Sequence, residues 1–185
     1  MKKLSLIIVA LLLVLVGCSN DSTEKETSNE QSKSASESKK SELSYEEKQQ
    51  EIVDFINEDM NEIATHETKA NEALATVSGE NFKNDTELLA VLTSDVIPEY
   101  EKAVEKAKSL DVKVDELKPI TAQIEEATSI YYEALLLEKE ALEKQDKGLI
   151  NESNAKGEEY AKAIKEYHET MKKVTSEYGI NYQQD

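Results

Sequence analysis

Along residues 44–182 apolar side chains recur every three or four positions, the spacing that returns to one face of an α-helix. The first stripe runs Ile52, Ile56, Met60, Ile63, Ala70, Leu74 and Val77. It opens at the capping-box pattern Ser44-Tyr45-Glu46-Glu47 and is expected to stop at Gly79. A second helix starts at Asn84 or Asp85 and carries Leu88, Leu92, Val96, Tyr100, Ala103, Ala107 and Leu110 on one face. Pro98 lies inside it. A proline removes a backbone hydrogen bond and crowds the carbonyl four residues back, so the pattern predicts a kink at Ser94 to Ile97 or two shorter helices meeting there.

The third helix, capped by Asp115 with Pro119 in its first turn, shows Ile120, Ile124, Ala127, Tyr131, Ala134 or Leu135, and Leu142. The fourth, capped by Asp146, shows Ile150, Gly157, Ala161, Ile164, Met171, Val174 and Tyr178. Short connections between long helices make sequential neighbours antiparallel. The expected fold class is therefore all-α: an antiparallel four-helix bundle with up-down-up-down topology. Glu72-Ala73-Leu74, Asp85, Leu88-Leu89 and Glu99-Tyr100 return about 60 residues later as Glu133-Ala134-Leu135, Asp146, Leu149-Ile150 and Glu159-Tyr160. Either two helical hairpins share an origin, or the Glu, Lys and Ala content common to amphipathic helices produces the likeness.

The chain before the first helix has a different pattern. Lys2 and Lys3 precede an apolar run from Leu4 to Val16 broken only by Ser5. That is the layout of a signal peptide, and the run is too short for the roughly 20 apolar residues that a spanning helix needs. Leu15-Val16-Gly17-Cys18 follows, and these four residues resemble the lipobox of bacterial lipoproteins. The resemblance implies cleavage after Gly17 and a diacylglycerol thioether on Cys18, with an N-acyl chain such as palmitate added to the new terminus. It also implies a protein held on the extracellular face of the cell membrane. A single acyl chain binds membranes only marginally, whereas two hold firmly. Residues 18–43 are Ser, Glu, Lys, Asn and Thr with almost no apolar side chain, too little to offset the entropy of ordering, so they are expected to form a disordered tether. Such a tether has a root-mean-square span of about 25 to 30 Å.

Three domains result: a signal peptide at 1–17, the lipidated cysteine and tether at 18–43, and an acidic helical body at 44–182. The stretches Asp95-Val96-Ile97-Pro98-Glu99-Tyr100 and 143–157 resemble small helical lipoproteins of low-GC Gram-positive bacteria, some assigned to cell-wall binding. Outside the lipobox that resemblance carries over no residue of known role.

Charge narrows the partners. Cleavage after Gly17 removes two lysines and takes the formal net charge from −17 to −19. All 22 basic residues are lysine, so the bidentate guanidinium that recognises phosphate and carboxylate is missing. Nucleic acid is not an expected partner, because affinity for it rests on neutralising phosphates. Cys18 is the only cysteine, so once it is lipidated no thiol remains for a disulfide, a metal or nucleophilic catalysis.

The chemistry-bearing residues are few. His66 and His168 are expected to differ by roughly 10 Å in height along an antiparallel bundle, too far to share a metal. Each has Ile63 or Lys165 three residues before it, not the glutamate of di-iron bundles. Glu67 and Glu138 fall at or beside the apolar stripes at similar heights. With His66 they form a polar layer, or they sit at the edge of the stripe and reach solvent, as charged residues at such positions more often do. Tyr160, Tyr167 and Tyr178 recur at near-heptad spacing and are expected in the core or at its boundary with hydroxyls at the rim, an aromatic binding strip being the alternative. No phosphate loop, zinc spacing or nucleophile elbow occurs, so no catalytic residue, metal site or cofactor is expected. The function expected is a non-enzymatic binding or spacer module of the cell envelope that meets an envelope protein or wall polymer. The alternative is a helical receptor for a small solute or metal cation, using a cleft near Pro98.

Overall fold

A computed structural model describes residues 43–183; the signal segment, Gly17, Cys18 and the tether up to residue 42 lie outside the described residues. The chain is predominantly helical, and four long helices dominate it. Helix α1 covers residues 45–75 as the α-helical stretches Tyr45–Asp54 and Asn61–Ala75 joined through a π-helical turn, Phe55–Met60. Helix α2 covers residues 85–108 in the same manner, Asp85–Val91 and Ile97–Lys108 flanking the π-helical Leu92–Val96. Helices α3, Lys118–Lys144, and α4, Lys147–Glu177, are uninterrupted. None of the described helices is long and apolar enough to cross a membrane.

The helix ends follow the sequence closely. Ser44 and Glu47 form the reciprocal capping box of α1, each side chain bonding the other's backbone N–H. Asn84 caps α2 by accepting from the Glu87 N–H, and Asp146 caps α4 by accepting from Gly148. At the far end of α4 the Ile180 N–H donates to the Thr175 carbonyl (2.8 Å) and the Gly179 N–H to Ser176 (3.2 Å). This is the Schellman pattern, with Gly179 at φ +65° in the position that favours glycine.

Four expectations need correction. Helix α1 ends at Ala75, not at Gly79, which instead opens a short 3₁₀ turn, Gly79–Asn81. Asp115 does not cap α3; it lies in the 3₁₀ turn Asp115–Leu117 and pairs with Lys118 at 2.5 Å, while Pro119 keeps its place in the first turn. Ala161 is exposed, so the inward stripe of α4 passes from Tyr160 directly to Ile164. In α1 the π-helical turn brings Phe55 and Met60, five residues apart, onto the buried face and leaves Ile56 only half-buried. Before Pro98 the helix widens and does not split into two. The Ile97 N–H reaches back five residues to Leu92, and this wider turn accommodates a residue that has no N–H of its own.

Contacts run in opposite order along α1 and α2. Lys113 near the end of α2 meets Glu51 (2.7 Å), Lys106 bridges Asp59 and Glu62 (2.9 and 2.8 Å), and Tyr100 meets Glu67. Along α3 and α4 the order is likewise reversed, Ser153 donating to the Ala134 carbonyl (2.9 Å) and Lys156 pairing with Glu133 (3.0 Å). Where α1 begins, α4 ends: Tyr45 stacks on Tyr178 with ring centroids 5.1 Å apart, and Gln49 donates to the Tyr178 carbonyl at 2.6 Å.

The core consists of two clusters. One gathers Ile52, Phe55, Ile63, Ala107, Leu117, Ile124, Ile164 and Met171 towards the end where α1 starts and α4 finishes. The other gathers Ala70, Leu74, Leu88, Leu92, Val96, Leu135 and Leu142 at the opposite end. Tyr131 packs against both.

Two glycines in α4 and its cap separate backbone strain from packing. A Cβ at either Gly157 or Gly179 would meet no atom within 4 Å, yet only Gly179 has positive φ. Gly157→Ala is expected to raise the unfolding free energy by about 1 kcal/mol, and Gly179→Ala to lower it by about 1 kcal/mol. Urea midpoints of the two variants check both signs.

Candidate functional site

At the boundary between the clusters the four helices bring polar side chains into the core. Glu67 of α1 follows Ile63 by one turn and precedes Ala70, so its position on the buried face is fixed by the apolar residues on either side. It is 7% exposed. The Tyr100 hydroxyl of α2 donates to its Oε1 at 2.8 Å, and Tyr160 of α4 is buried beside the same carboxyl. Tyr131 of α3 lies between these tyrosines, with ring centroids 4.9 Å from Tyr100 and 4.8 Å from Tyr160. Glu138, two turns further along α3, is 5% exposed, and its Oε1 is buried without a hydrogen-bond partner.

Both carboxyls are shifted upward. Burial pushes Glu67 up to about 7, even though the Tyr100 and Tyr160 hydroxyls act in the other direction. Burial alone pushes Glu138 up to about 7. The tyrosine hydroxyls are raised too, burial first and the Glu67 charge second for both Tyr100 and Tyr160. Burial raises Tyr131 as well, followed by the charges of Glu138 and then Glu67.

Glu67 and Glu138 are both buried, so the solvated-edge reading is wrong for both. His66 does not join them; it points along the surface, with Nδ1 2.7 Å from Glu99 Oε1. Lys102 (2.6 Å) and Lys69 (3.8 Å) complete that cluster, and Lys102 before His66 holds the Glu99 carboxyl down to about 2. The three tyrosines that complete the layer were placed on the apolar stripes by their spacing, and their hydroxyls carried the overlooked signal. A tyrosine in the inward stripe at the height of an inward glutamate has a partner within reach.

Tyr160 and Tyr167 are buried and present no aromatic strip to solvent, nor do their hydroxyls lie at the rim. Tyr178 is buried as well, and its hydroxyl donates to Glu116 at 2.7 Å. His168 is buried on α4, with Nδ1 2.6 Å from the Tyr182 hydroxyl and Nε2 unpartnered, and burial lowers its pKa. The two histidines thus lie apart, His66 between α1 and α2 and His168 against the segment that follows α4. Among the described residues no group of three or more His, Cys, Asp or Glu side chains converges as metal ligands would. A groove of about 220 Å³ runs between α3 and α4, lined by Gln123, Glu126, Ile130, Glu159, Lys162, Ala163 and Glu166. It lies on a different helix pair from exposed Pro98. No protein-family model, curated protein or solved structure matches the chain.

What the layer can do chemically is hold protons. A carboxyl whose pKa is higher folded than unfolded supplies stability fully present below about 4.5 and lost as pH rises through about 7. His168 works in the opposite sense, its contribution present above 6.5 and lost as pH falls below it. Subtracting the pH profile of a Glu67→Gln, Glu138→Gln double variant from that of the wild type isolates the carboxyls. The difference is expected to grow between pH 5 and pH 8 by about 2 to 3 kcal/mol for each carboxyl. Guanidinium unfolding across that range measures it, and parallel profiles would mean that the carboxyls titrate as if in water.

Proposed function

We propose that the protein is a lipoprotein anchored through Cys18 to the extracellular face of the cell membrane, and that residues 44–182 form an antiparallel four-helix bundle serving as a non-enzymatic binding or spacer module of the envelope. The observation that carries this reading is where the chain enters the helical body. The first helix starts at Ser44, only 26 residues beyond the lipobox cysteine. It starts beside the end of α4, through the Tyr45–Tyr178 stack and the bond from Gln49. A tether attached there leaves the connections at 76–84 and 145–146 facing away from the membrane. Helices of 31 residues, such as α4, rise about 45 Å. The body therefore suits a stand-off of that height with a presenting tip.

The surface supports the choice of partner. Acidic residues number 39 against 22 lysines, and lysines such as Lys106, Lys139 and Lys156 are engaged by carboxylates of the same chain. What remains is net negative and suits a cationic region on an envelope protein or on a wall polymer bearing amines.

The anchor is tested by exchanging its sulfur. Cys18→Ser is expected to move the protein from the membrane fraction into the culture medium or to leave the uncleaved precursor. Mass spectrometry of the wild type should show a diacylated N-terminal cysteine. A wild-type chain that keeps Met1 with a free thiol would contradict the reading.

A further inference from the structure

The polar layer occupies a boundary. On α1 it separates Ile63, in the core cluster near the Tyr45–Tyr178 end, from Ala70, in the far cluster. On α3 it separates Ala127 from Leu135, and Tyr131 between them is the residue that packs on both. Tyr160 is the last residue of α4 to join the near cluster, and no residue of α4 belongs to the far one. In α4 the stretch from residue 147 to 159 contributes a single buried side chain, Ile150, while Ser153, Lys156 and Gly157 are half-exposed. That stretch is held by the Ser153 bond to Ala134 and by Lys156 between Glu133 and Glu159. Partly exposed pairs of this kind contribute little.

We infer that the layer formed by Glu67, Tyr100, Tyr131 and Tyr160, together with Glu138 between Leu135 and Leu142 just inside the far half, is a proton-controlled joint, at which loss of the carboxyl protons frees the far half of the helices while the near half stays folded. A neutral Glu67 is bonded by Tyr100, and a neutral Glu138 leaves one oxygen unpartnered. Among the described residues Glu138 forms no ion pair, and the neighbouring Lys139 is paired with Glu143 (2.6 Å). The remaining charges beside the layer are also engaged: His66, Lys69 and Lys102 around Glu99 on α1 and α2, and Lys156 with Glu133 and Glu159 across α3 and α4. A buried charge without a partner is relieved most cheaply by admitting water. The thinly packed start of α4 is the element whose movement admits it at least loss of apolar contact.

Native-state hydrogen exchange of the intact helical body at pH 6.0 and pH 8.5, corrected for the intrinsic pH dependence of exchange, tests the joint. Carboxyls at about 7 when closed and about 4.5 when open make opening roughly tenfold more favourable per carboxyl over that interval. Amides of residues 64–75, 85–100, 131–144 and 147–159 should lose protection by that factor or its square, and those of residues 103–107, 118–127 and 164–177 should keep theirs. In Glu67→Gln and in Glu138→Gln, measured singly and each shown folded by its helical spectrum at pH 6.0, the loss should shrink by one carboxyl's share. Equal loss in both halves, unchanged protection in the wild type, or an undiminished loss in both single variants would overturn the proposal.

Discussion

Glu67 reaches the meeting point of four helices with a carboxyl that neither lysine nor histidine neutralises, and the arrangement around it follows from that. In water a carboxylate is solvated at no structural cost; in an apolar core it is neutral, hydrogen-bonded or destabilising. Here it is met by a hydroxyl. The Tyr100 hydroxyl fixes the height of α2 against α1, and the ring contacts from Tyr100 to Tyr131 and from Tyr131 to Tyr160 extend that register to α3 and α4. An apolar stripe of alanines, isoleucines and leucines would tolerate a shift by one turn, whereas a buried polar contact does not. The single layer therefore supplies register that the interchangeable aliphatic residues above and below it do not.

Glu138 shows the other side of the same physics. It shares the core and lacks the hydroxyl partners, leaving an oxygen unsatisfied, a cost that a protein ordinarily avoids. The near half of the molecule has its own polar elements, His168 with Tyr182 and Glu116 with Lys48 and Tyr178, and each gathers close to where the chain enters and leaves. Among the described residues His168 and Glu116 each keep one buried atom without a partner but hold a hydroxyl or a lysine through another, whereas Glu138 in the far half has neither.

Much of this was legible from residue spacing. Periods of three and four residues located all four helices, and Ser44, Asn84 and Asp146 marked three starts because short polar side chains satisfy first-turn N–H groups wherever helices begin. The π-helical turns were not legible. A one-residue widening at Phe55–Met60 leaves the average period almost unchanged and shows only in which neighbour is buried, Phe55 in place of Ile56. Ala161 was misplaced because alanine suits either face of a helix. For Glu67 and Glu138 the spacing put the side chains on the inward stripe correctly, but general experience of charged residues moved them to its edge. The deciding information was tertiary: that the Tyr100 hydroxyl bonds Glu67, and that none bonds the buried Glu138 Oε1. His66 lost its place in the layer for a similar reason, since Glu99 on the neighbouring helix offered a surface partner that no local pattern reveals.

The most direct measurement is a titration of the side-chain carboxyl carbons by NMR with Glu67 and Glu138 assigned through their glutamine variants. Two midpoints near 7, well separated from the remaining glutamates, are what a core holding two unneutralised acids requires. Midpoints near 4.5 for both would mean that water reaches them in the resting state and that no such layer is sealed between the helices.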